Sequence, residues 1–199
     1  MNIPRRFRDA TDPMAAKEWF VPLVERYMAD PAARRREGQG VLLAGANGCG
    51  KTWTVLALAV ELGHRVGRNL DVVYINSAEL VNRVYRFGAP EFLADRGQTF
   101  DTAVETCTVL VVDDLGHEIR SDGAGNKIAI SKLTRLLRKR SDNLRLTFVT
   151  TNLPLSDESS KSLSSELGPS VRSLLDELCP FQLDVDDEAP DLRYPDGGL

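Results

Sequence analysis

Short apolar runs separated by longer amphipathic stretches recur along the chain, and this pattern predicts strands that alternate with helices. Runs rich in branched apolar residues predict strands, and they cover residues 41–44, 71–76, 108–112, 145–151 and 181–185. Apolar residues at helical spacing predict helices over 14–28, 53–60, 78–87, 127–140 and 170–178, with one or two more within 90–106. Strands alternating with helices indicate an α/β fold: a parallel sheet with helices on both faces.

Several residues refine these boundaries. Pro22 predicts either a kink or a helix that begins there, because proline lacks the N–H that a helix interior needs. Ser77 is expected to cap the helix that follows it. Residues 32–40 contain three consecutive arginines, and we interpret them as a solvated connector in preference to a phosphate-contact patch. A serine-rich loop is expected between the strand ending at 151 and the helix beginning at 170.

The helix predicted over residues 127–140 divides its side chains into two sets. The apolar side chains are expected to face inward: Ile128, Ile130, Leu133, Leu136 and Leu137. The basic side chains are expected to face outward: Lys132, Arg135, Arg138, Lys139 and Arg140.

The composition fits one domain of a cytoplasmic protein. The chain has 199 residues, enough to bury a core, and its formal net charge is −4. This acidic total does not exclude nucleic acid, because local patches make the phosphate contacts. Three widely spaced cysteines suggest neither a disulfide framework nor a metal site, which favours a reducing compartment. Neither a membrane span nor a signal peptide is recognisable in the sequence.

The most informative stretch lies between the first predicted strand and its helix. It reads Gly45-Ala46-Asn47-Gly48-Cys49-Gly50-Lys51-Thr52. Together with Trp53, which follows, it is the candidate nucleotide-binding segment. In this G-x-x-x-x-G-K-T pattern, the glycines let backbone N–H groups face phosphate oxygens, and the helix start adds its positive dipole end. Lys51 is expected to reach the β- and γ-phosphates of ATP, and the Thr52 hydroxyl to contact Mg²⁺. We therefore predict a P-loop NTPase.

Polar residues end two further predicted strands. Asp113 and Asp114 end the run that begins at residue 108; we expect Asp113 on the Mg²⁺ side and Asp114 orienting or deprotonating an attacking water. Asn152 ends the next strand and is placed to bind the γ-phosphate or that water, because parallel strands converge at their carboxyl ends. A simple turn role is the alternative for all three residues.

Three segments together resemble the AAA+ ATPases of the DnaC/DnaI helicase-loader and IstB transposition-helper group. These segments read GANGCGKT, VLVVDDLG and TFVTTNLP. The resemblance implies Gly45 to Thr52 as Walker A, Asp113 and Asp114 as Walker B, and Asn152 as the sensor-1 residue. It also implies ATP hydrolysis between neighbouring subunits of an oligomer on single-stranded DNA, with a replicative helicase as partner.

The chain departs from that group in two places. Only about 40 residues precede the phosphate loop, whereas loaders of this kind usually carry a separate helicase-gripping domain there. Alignment on Gly168 places Leu174 at the position of the group's trans arginine finger, and Arg172 is the nearest arginine that could replace it. Arg193, in a sequence similar to the group's terminal D-Y-R, is a sensor-2 candidate.

These features divide the chain into three parts. Residues 1–37 are expected to form a basic arm and helix, residues 38–188 the AAA+ core with a minimal lid or none, and residues 189–199 a tail. Two helices are candidates for single-stranded DNA: the basic face at 132–140, for which a subunit interface competes, and the helix after Ser77. In the latter, arginines alternate with aromatic residues: Asn82, Arg83, Tyr85, Arg86 and Phe87.

Four functions fit the sequence. The first is an ATP-dependent helicase loader in DNA replication. The second is a transposition helper, with the same core but a transposase and duplex DNA as partners. The third is a small-molecule P-loop kinase, against which the sequence shows no arginine-rich lid and no acceptor motif. The fourth is an adaptor that binds ATP with little turnover.

Overall fold

Five parallel strands form the sheet at the centre of the computed structural model, as the α/β prediction requires. The structure describes residues 7, 10, 16–67, 70–84, 91–93, 96–116, 124–158 and 160–185. The strands are β1 (Val41–Ala44), β2 (Val72–Asn76), β5 (Val109–Leu115), β6 (Leu146–Thr151) and β7 (Phe181–Asp184). They lie in the order β2-β5-β6-β1-β7, and every neighbouring pair is parallel. The prediction of a parallel sheet is therefore confirmed.

Eight helices accompany the sheet in the described residues. They are α1 (Val21–Met28), α2 (Pro31–Glu37), α3 (Lys51–Arg65), α4 (Ser77–Val84), α5 (Phe100–Thr106), α6 (Ala124–Asp142), α7 (Leu163–Leu167) and α8 (Pro169–Leu178). The apolar side chains fall into two core clusters because successive strand residues face opposite sides of the sheet. One cluster includes α1 and α3 with Val41 and Leu43, and the other includes α6 and α8 with Leu42. Helices therefore cover both faces.

The amino-terminal helices belong to this core. The helix α1 begins at Val21 with Pro22 in its first turn, so the second of the two possibilities at Pro22 is correct. Tyr27 is fully buried, and its ring meets Phe148 and Phe181 edge to face, with centroids 5.7 and 5.1 Å apart. Such aromatic pairs contribute about 0.5–1.5 kcal/mol beyond their burial. Tyr27 thus fixes α1 against strands β6 and β7.

Several local predictions were wrong. Residues 32–40 are largely the helix α2, which Asp30 caps by accepting from the N–H of Ala33, and are not a solvated connector. Ser77 is the first residue of α4, and the side chain of Asn76 accepts from the N–H of Ala78 instead. The stretch expected to be helical from residue 90 contains an antiparallel pair, β3 (Phe92–Leu93) with β4 (Gln98–Thr99), before α5 begins. The expected serine-rich loop contains α7.

Helix α6 differs from its prediction at two side chains. Ile128 was expected to face inward, and it is 45% exposed. Arg140 was expected to face outward, and it is fully buried. The helical spacing explains both. Leu133, Leu136 and Arg140 recur at intervals of three and four and therefore share one face of the helix, whereas Ile128, five residues before Leu133, lies off that face. The charge of Arg140 was a poor guide to its direction.

Candidate nucleotide-binding site

The predicted phosphate loop connects β1 to α3 in a conformation that requires glycine. Gly45, Gly48 and Gly50 have φ angles of 135°, 81° and 102°, in the region that side-chain-bearing residues rarely adopt. At Gly45 a Cβ atom would also lie 2.8 Å from the carbonyl oxygen of Val185. Cys49 within the loop is buried, whereas Asn47 at its tip is exposed. The loop therefore presents backbone groups rather than bulky side chains.

Lys51 is the first residue of α3 and lies under this loop, only 5% exposed. Its Nζ donates to the carbonyl oxygens of Gly45 and Ala46 at 2.8 and 2.7 Å, and to Oδ1 of Asn152 at 2.9 Å. Burial lowers the pKa of Lys51, and the nearby Cys49, Asp114 and Asp113 oppose that change. A desolvated ammonium held by two carbonyl oxygens and one amide oxygen suits a group that can exchange them for phosphate oxygens.

Asp113 is a buried carboxylate that accepts three hydroxyl groups. It is 1% exposed; Oδ1 accepts from the hydroxyls of Thr52 and Thr150, each at 2.6 Å, and Oδ2 accepts from the hydroxyl of Tyr74 at 2.6 Å. Buried carboxylates are costly unless hydrogen bonds satisfy their oxygens, and these donors do so. They also fix the Asp113 carboxylate next to Thr52, the residue that follows Lys51 in the chain.

A bulge in β5 brings Asp113 and Asp114 together at the same strand end. Val112 pairs with Val149, whereas Leu115 pairs with Thr151, so β5 has one extra residue there. Asp114 has a φ of 56°, a left-handed conformation that aspartate tolerates better than most residues. Its N–H donates to Oγ1 of Thr150 at 3.0 Å. Consecutive strand residues normally face opposite sides; the bulge breaks that alternation, and both carboxylates raise the pKa of Lys51.

The remaining predicted site residues lie elsewhere or cannot be placed. Trp53 is partly buried against the core cluster that includes α1. Arg172 on α8 is paired within its own subunit: its Nη2 lies 3.1 Å from Oδ1 of Asp176 and 3.2 Å from Oε1 of Gln182. Leu174 is 7% exposed and belongs to the core, so that position faces the interior of its own domain. Arg193 lies outside the described residues.

Three residues of the site were missed from the sequence. Tyr74 and Thr150 bind Asp113, and Trp19, before α1, donates from Nε1 to the carbonyl oxygen of Cys49 at 3.1 Å. Strand alternation could have found Tyr74, because it stands two residues before the polar end of β2. Thr150 similarly stands two residues before Asn152, at the polar end of β6. Nothing in the sequence connects Trp19 to the loop.

The two helices predicted to bind DNA differ in how many of their basic side chains already have partners within the chain. On α6, Arg140 is buried and Lys139 pairs with Glu105 at 2.7 Å, which leaves Arg135 and Arg138 exposed. On α4, Arg83 pairs with Glu79 at 2.6 Å and lies over the ring of Phe100 at 4.9 Å. Tyr85, Arg86 and Phe87 lie outside the described residues.

The donor set at Thr52 and Asp113 fits Mg²⁺. Hydroxyl and carboxylate oxygens are the ligands this ion takes from a protein, with phosphates and water supplying the rest. The described residues contain no group of three or more His, Cys, Asp or Glu side chains able to hold a metal by themselves. Within the same residues, no helix is long and apolar enough to cross a membrane.

Comparison with known proteins identifies the family. The family model described as IstB-like ATP binding protein matches residues 32–178, so the chain belongs to this family and the recognised resemblance is confirmed. A comparison with curated proteins gave no match.

Solved structures share the fold. The DnaC helicase loader has a TM-score of 0.67 at 23% identity, covering 91% of this chain and 100% of that chain. DnaI has a TM-score of 0.65 at 19% identity, covering 97% and 95%. Domain III of the replication initiation protein DnaA from Thermotoga maritima has a TM-score of 0.63 at 16% identity, covering 91% and 69%. At these identities the likeness shows the fold alone.

Proposed function

We propose that this member of the IstB-like ATP-binding family hydrolyses ATP and acts as a helicase loader on single-stranded DNA in replication. The observation that carries the proposal is a pair of contacts, at one edge of the sheet, between residues that are far apart in the sequence. Lys51 Nζ binds Asn152 Oδ1 at 2.9 Å, and Thr52 Oγ1 binds Asp113 Oδ1 at 2.6 Å. The phosphate loop, the acidic strand end and the polar end of β6 therefore form one site.

In this proposal the loop and the start of α3 bind the phosphates of ATP. Backbone N–H groups from Gly45 to Thr52 and the helix dipole attract the negative charge, and Lys51 moves its ammonium from loop carbonyls to phosphate oxygens. Thr52 and Asp113 would hold Mg²⁺, which neutralises phosphate charge when bound. Tyr74 and Thr150 orient the Asp113 carboxylate through their hydroxyl groups.

Asp114 and Asn152 are proposed to act on the attacking water. The bulge directs Asp114 to the phosphate-binding edge, where a carboxylate orients the water and accepts its proton. Asn152 supplies an amide that can bind the γ-phosphate or the same water. The Asp114→Asn variant should keep ATP bound and lose turnover by about 10²–10⁴-fold, the usual contribution of a general base.

The proposal places hydrolysis at the interface between subunits of an oligomer. An arginine finger from a neighbouring subunit raises hydrolysis by about 10³–10⁵-fold where it operates. To act as this finger, Arg172 would have to leave Asp176 and Gln182, and Leu174 has no charge with which to act. If no arginine is supplied, the protein is an ATP-binding adaptor with little turnover.

A transposition helper is the second candidate, because the matching family model is named for IstB. It would use the same nucleotide site with duplex DNA and a transposase as partners. The two candidates therefore differ in the form of DNA that stimulates turnover.

The deciding experiment measures ATP hydrolysis per subunit across protein concentration, with single-stranded DNA, duplex DNA or neither. Asp114→Asn provides the background rate. A loader should show a rate that rises with concentration and with single strands, and a transposition helper one that rises with duplex. A flat, near-zero rate despite tight ATP binding would identify the adaptor. Concentration-independent transfer to a small acceptor would contradict the proposal and favour a kinase.

A further inference from the structure

We infer that the edge of the sheet opposite the nucleotide site binds the phosphodiester backbone of nucleic acid. This inference rests on the proposed function as a DNA-acting ATPase. A cavity of about 600 Å³ opens there, and we call it the arginine pocket. Among the described residues, four arginines line it: Arg35, Arg36, Arg65 and Arg145. They come from α2, from the end of α3 and from the residue before β6.

The arginine pocket is separate from the nucleotide site. Arg145 precedes β6 and Asn152 follows it, and six strand residues at 3.3 Å each give roughly 20 Å between them. Helix α3 likewise begins at Lys51 and ends at Arg65. The two sites lie at opposite ends of the same elements, so that occupation of one leaves the other open.

Two of the four arginines have acidic partners and two do not. Arg36 pairs with Glu37 at 3.0 Å and Arg65 with Glu61 at 2.6 Å. Both pairs are on the surface, where such contacts contribute little and exchange readily. Arg35 and Arg145 form no side-chain hydrogen bond or ion pair with any residue that the structure describes.

Arg145 has no structural role that explains its position. Cations are favoured near the carboxyl ends of helices, which accounts for arginines in the last turns of α2 and α3. Arg145 lies on no helix, and its Nε is buried without a partner among the described residues. The charge of Arg145 also lies close enough to the buried Arg140 to lower the pKa of Arg140, in addition to the larger effect of burial. An anion in the pocket would satisfy Nε and offset the repulsion.

The chemistry favours phosphodiester groups over an acidic peptide. A guanidinium matches a phosphate with two parallel hydrogen bonds, and a nucleic-acid strand offers regularly spaced charges to several arginines at once. The other described lining residues are small or aliphatic, including Ala32, Val66 and Leu144. Without aromatic rings to stack on bases, the pocket would contact backbone and be indifferent to sequence.

The test measures DNA affinity by fluorescence anisotropy across salt concentration, with labelled single-stranded and duplex oligonucleotides of equal length. The parent protein is compared with Arg35→Gln/Arg145→Gln. The control is Lys17→Gln/Lys127→Gln, which removes the same charge at two exposed lysines that do not line the pocket. The pocket variant should bind at least tenfold more weakly, and its log–log salt slope should fall by about 1.4 on single strands or about 1.8 on duplex. The substrate with the larger effect identifies the form bound.

Three results would overturn the inference: unchanged affinity in the pocket variant, an equal loss in the control, or displacement of DNA by polyglutamate at equal charge concentration. Arg35→Lys/Arg145→Lys keeps both charges and should retain most of the slope, which separates lost contacts from misfolding. ATP affinity should be unchanged in every variant. Hydrolysis and its concentration dependence test the proposed function separately, so a protein that hydrolyses ATP as proposed but whose pocket variant binds DNA normally would refute only this inference.

Discussion

The two ends of β6 each meet a buried cation, and the two cations are held in different ways. At the carboxyl end, Lys51 donates to Asn152 and to two carbonyl oxygens of its own loop. At the amino end, Arg140 donates to the carbonyl oxygens of Val104, Cys107 and Leu146 and to the hydroxyl of Thr147. Burial lowers the pKa of both cations.

The two sets of partners differ in whether another hydrogen-bond donor could replace the cation. The acceptors of Arg140 are carbonyl oxygens of α5, of the residue after it and of β6, together with the hydroxyl of Thr147, and all four hydrogen bonds are buried. Two of the three oxygens around Lys51 are only partly buried, so water or another donor can replace the ammonium. A rigid guanidinium with fixed partners joins elements of the fold, whereas a flexible ammonium with exchangeable partners can serve a ligand. The proposed assignment of roles follows from this contrast.

Replacement of Arg140 should cause the largest loss of stability. Arg140→Leu removes the charged donor of four buried hydrogen bonds, at about 1–3 kcal/mol each, so we expect the free energy of unfolding to fall by about 4 kcal/mol or more. Chemical denaturation measures this, with the exposed neighbour Arg138→Leu as the control that should change stability by less than about 0.5 kcal/mol. If Arg140→Leu cannot be purified, Arg140→Lys should show an intermediate loss. Equal stability of the two leucine variants would show that Arg140 does not join these elements.

Replacement of Lys51 should act on ligand binding and spare the fold. Lys51→Ala removes charge-assisted hydrogen bonds worth about 1.5–3 kcal/mol each, so ATP affinity should fall roughly a hundredfold or more. Isothermal titration with ATP and Mg²⁺ measures the affinity, and thermal denaturation checks that the melting temperature is kept. Lys127→Ala, at an exposed lysine, is the control. Unchanged ATP affinity would refute the phosphate-loop assignment, and a loss of stability like that of Arg140→Leu would erase the contrast.

The contrast also shows how far the sequence could predict the structure. The phosphate loop, Asp113 and Asn152 were found because a motif and the convergence of parallel strands give their positions. The spacing of Leu133, Leu136 and Arg140 contained the correct direction of Arg140, yet its charge suggested solvent, since only the tertiary fold brings buried carbonyls to it. The antiparallel pair of β3 and β4 was missed because a two-residue strand is too short to show an alternation of apolar and polar residues.

Two adjacent threonines on β6 allow a finer test at the carboxyl end. Thr150 binds Asp113 and Asp114, whereas Thr151 donates to the carbonyl oxygen of Leu115 and accepts from the N–H of Leu153. Replacement by valine keeps the shape and removes two buried hydrogen bonds in each case, so both variants should lose about 1–3 kcal/mol of stability. Only Thr150→Val should also lower the rate of ATP hydrolysis, by roughly tenfold, a single hydrogen bond's worth. Equal rates in the two variants would show that Thr150 does not position the acids.

The three cysteines lie near different ends of β6, so their reactivity measures the opening of each end separately. Cys49 lies in the phosphate loop, 3.9 Å by its Sγ from Lys51 Nζ. Cys107 Sγ lies 3.3 Å from Arg140 Nη1, and Cys179 Sγ donates to the carbonyl oxygen of Thr147 at 3.1 Å. Burial raises the pKa of the Cys107 and Cys179 thiols, so little reactive thiolate forms near neutral pH.

Reaction with N-ethylmaleimide, followed by mass spectrometry of each cysteine, should therefore distinguish local opening from global unfolding. We expect Cys49 to label faster than Cys107 and Cys179 and with little dependence on urea, because loop opening is local and exposes little surface, whereas the Arg140 end opens only with the whole fold. ATP with Mg²⁺ should slow all three reactions, because it binds only the folded protein. Arg140→Lys should accelerate Cys107 and Cys179 while keeping the nucleotide protection of Cys49. If all three cysteines label with the same dependence on urea, the two ends of β6 open together, and the separation between a binding end and a structural end is wrong.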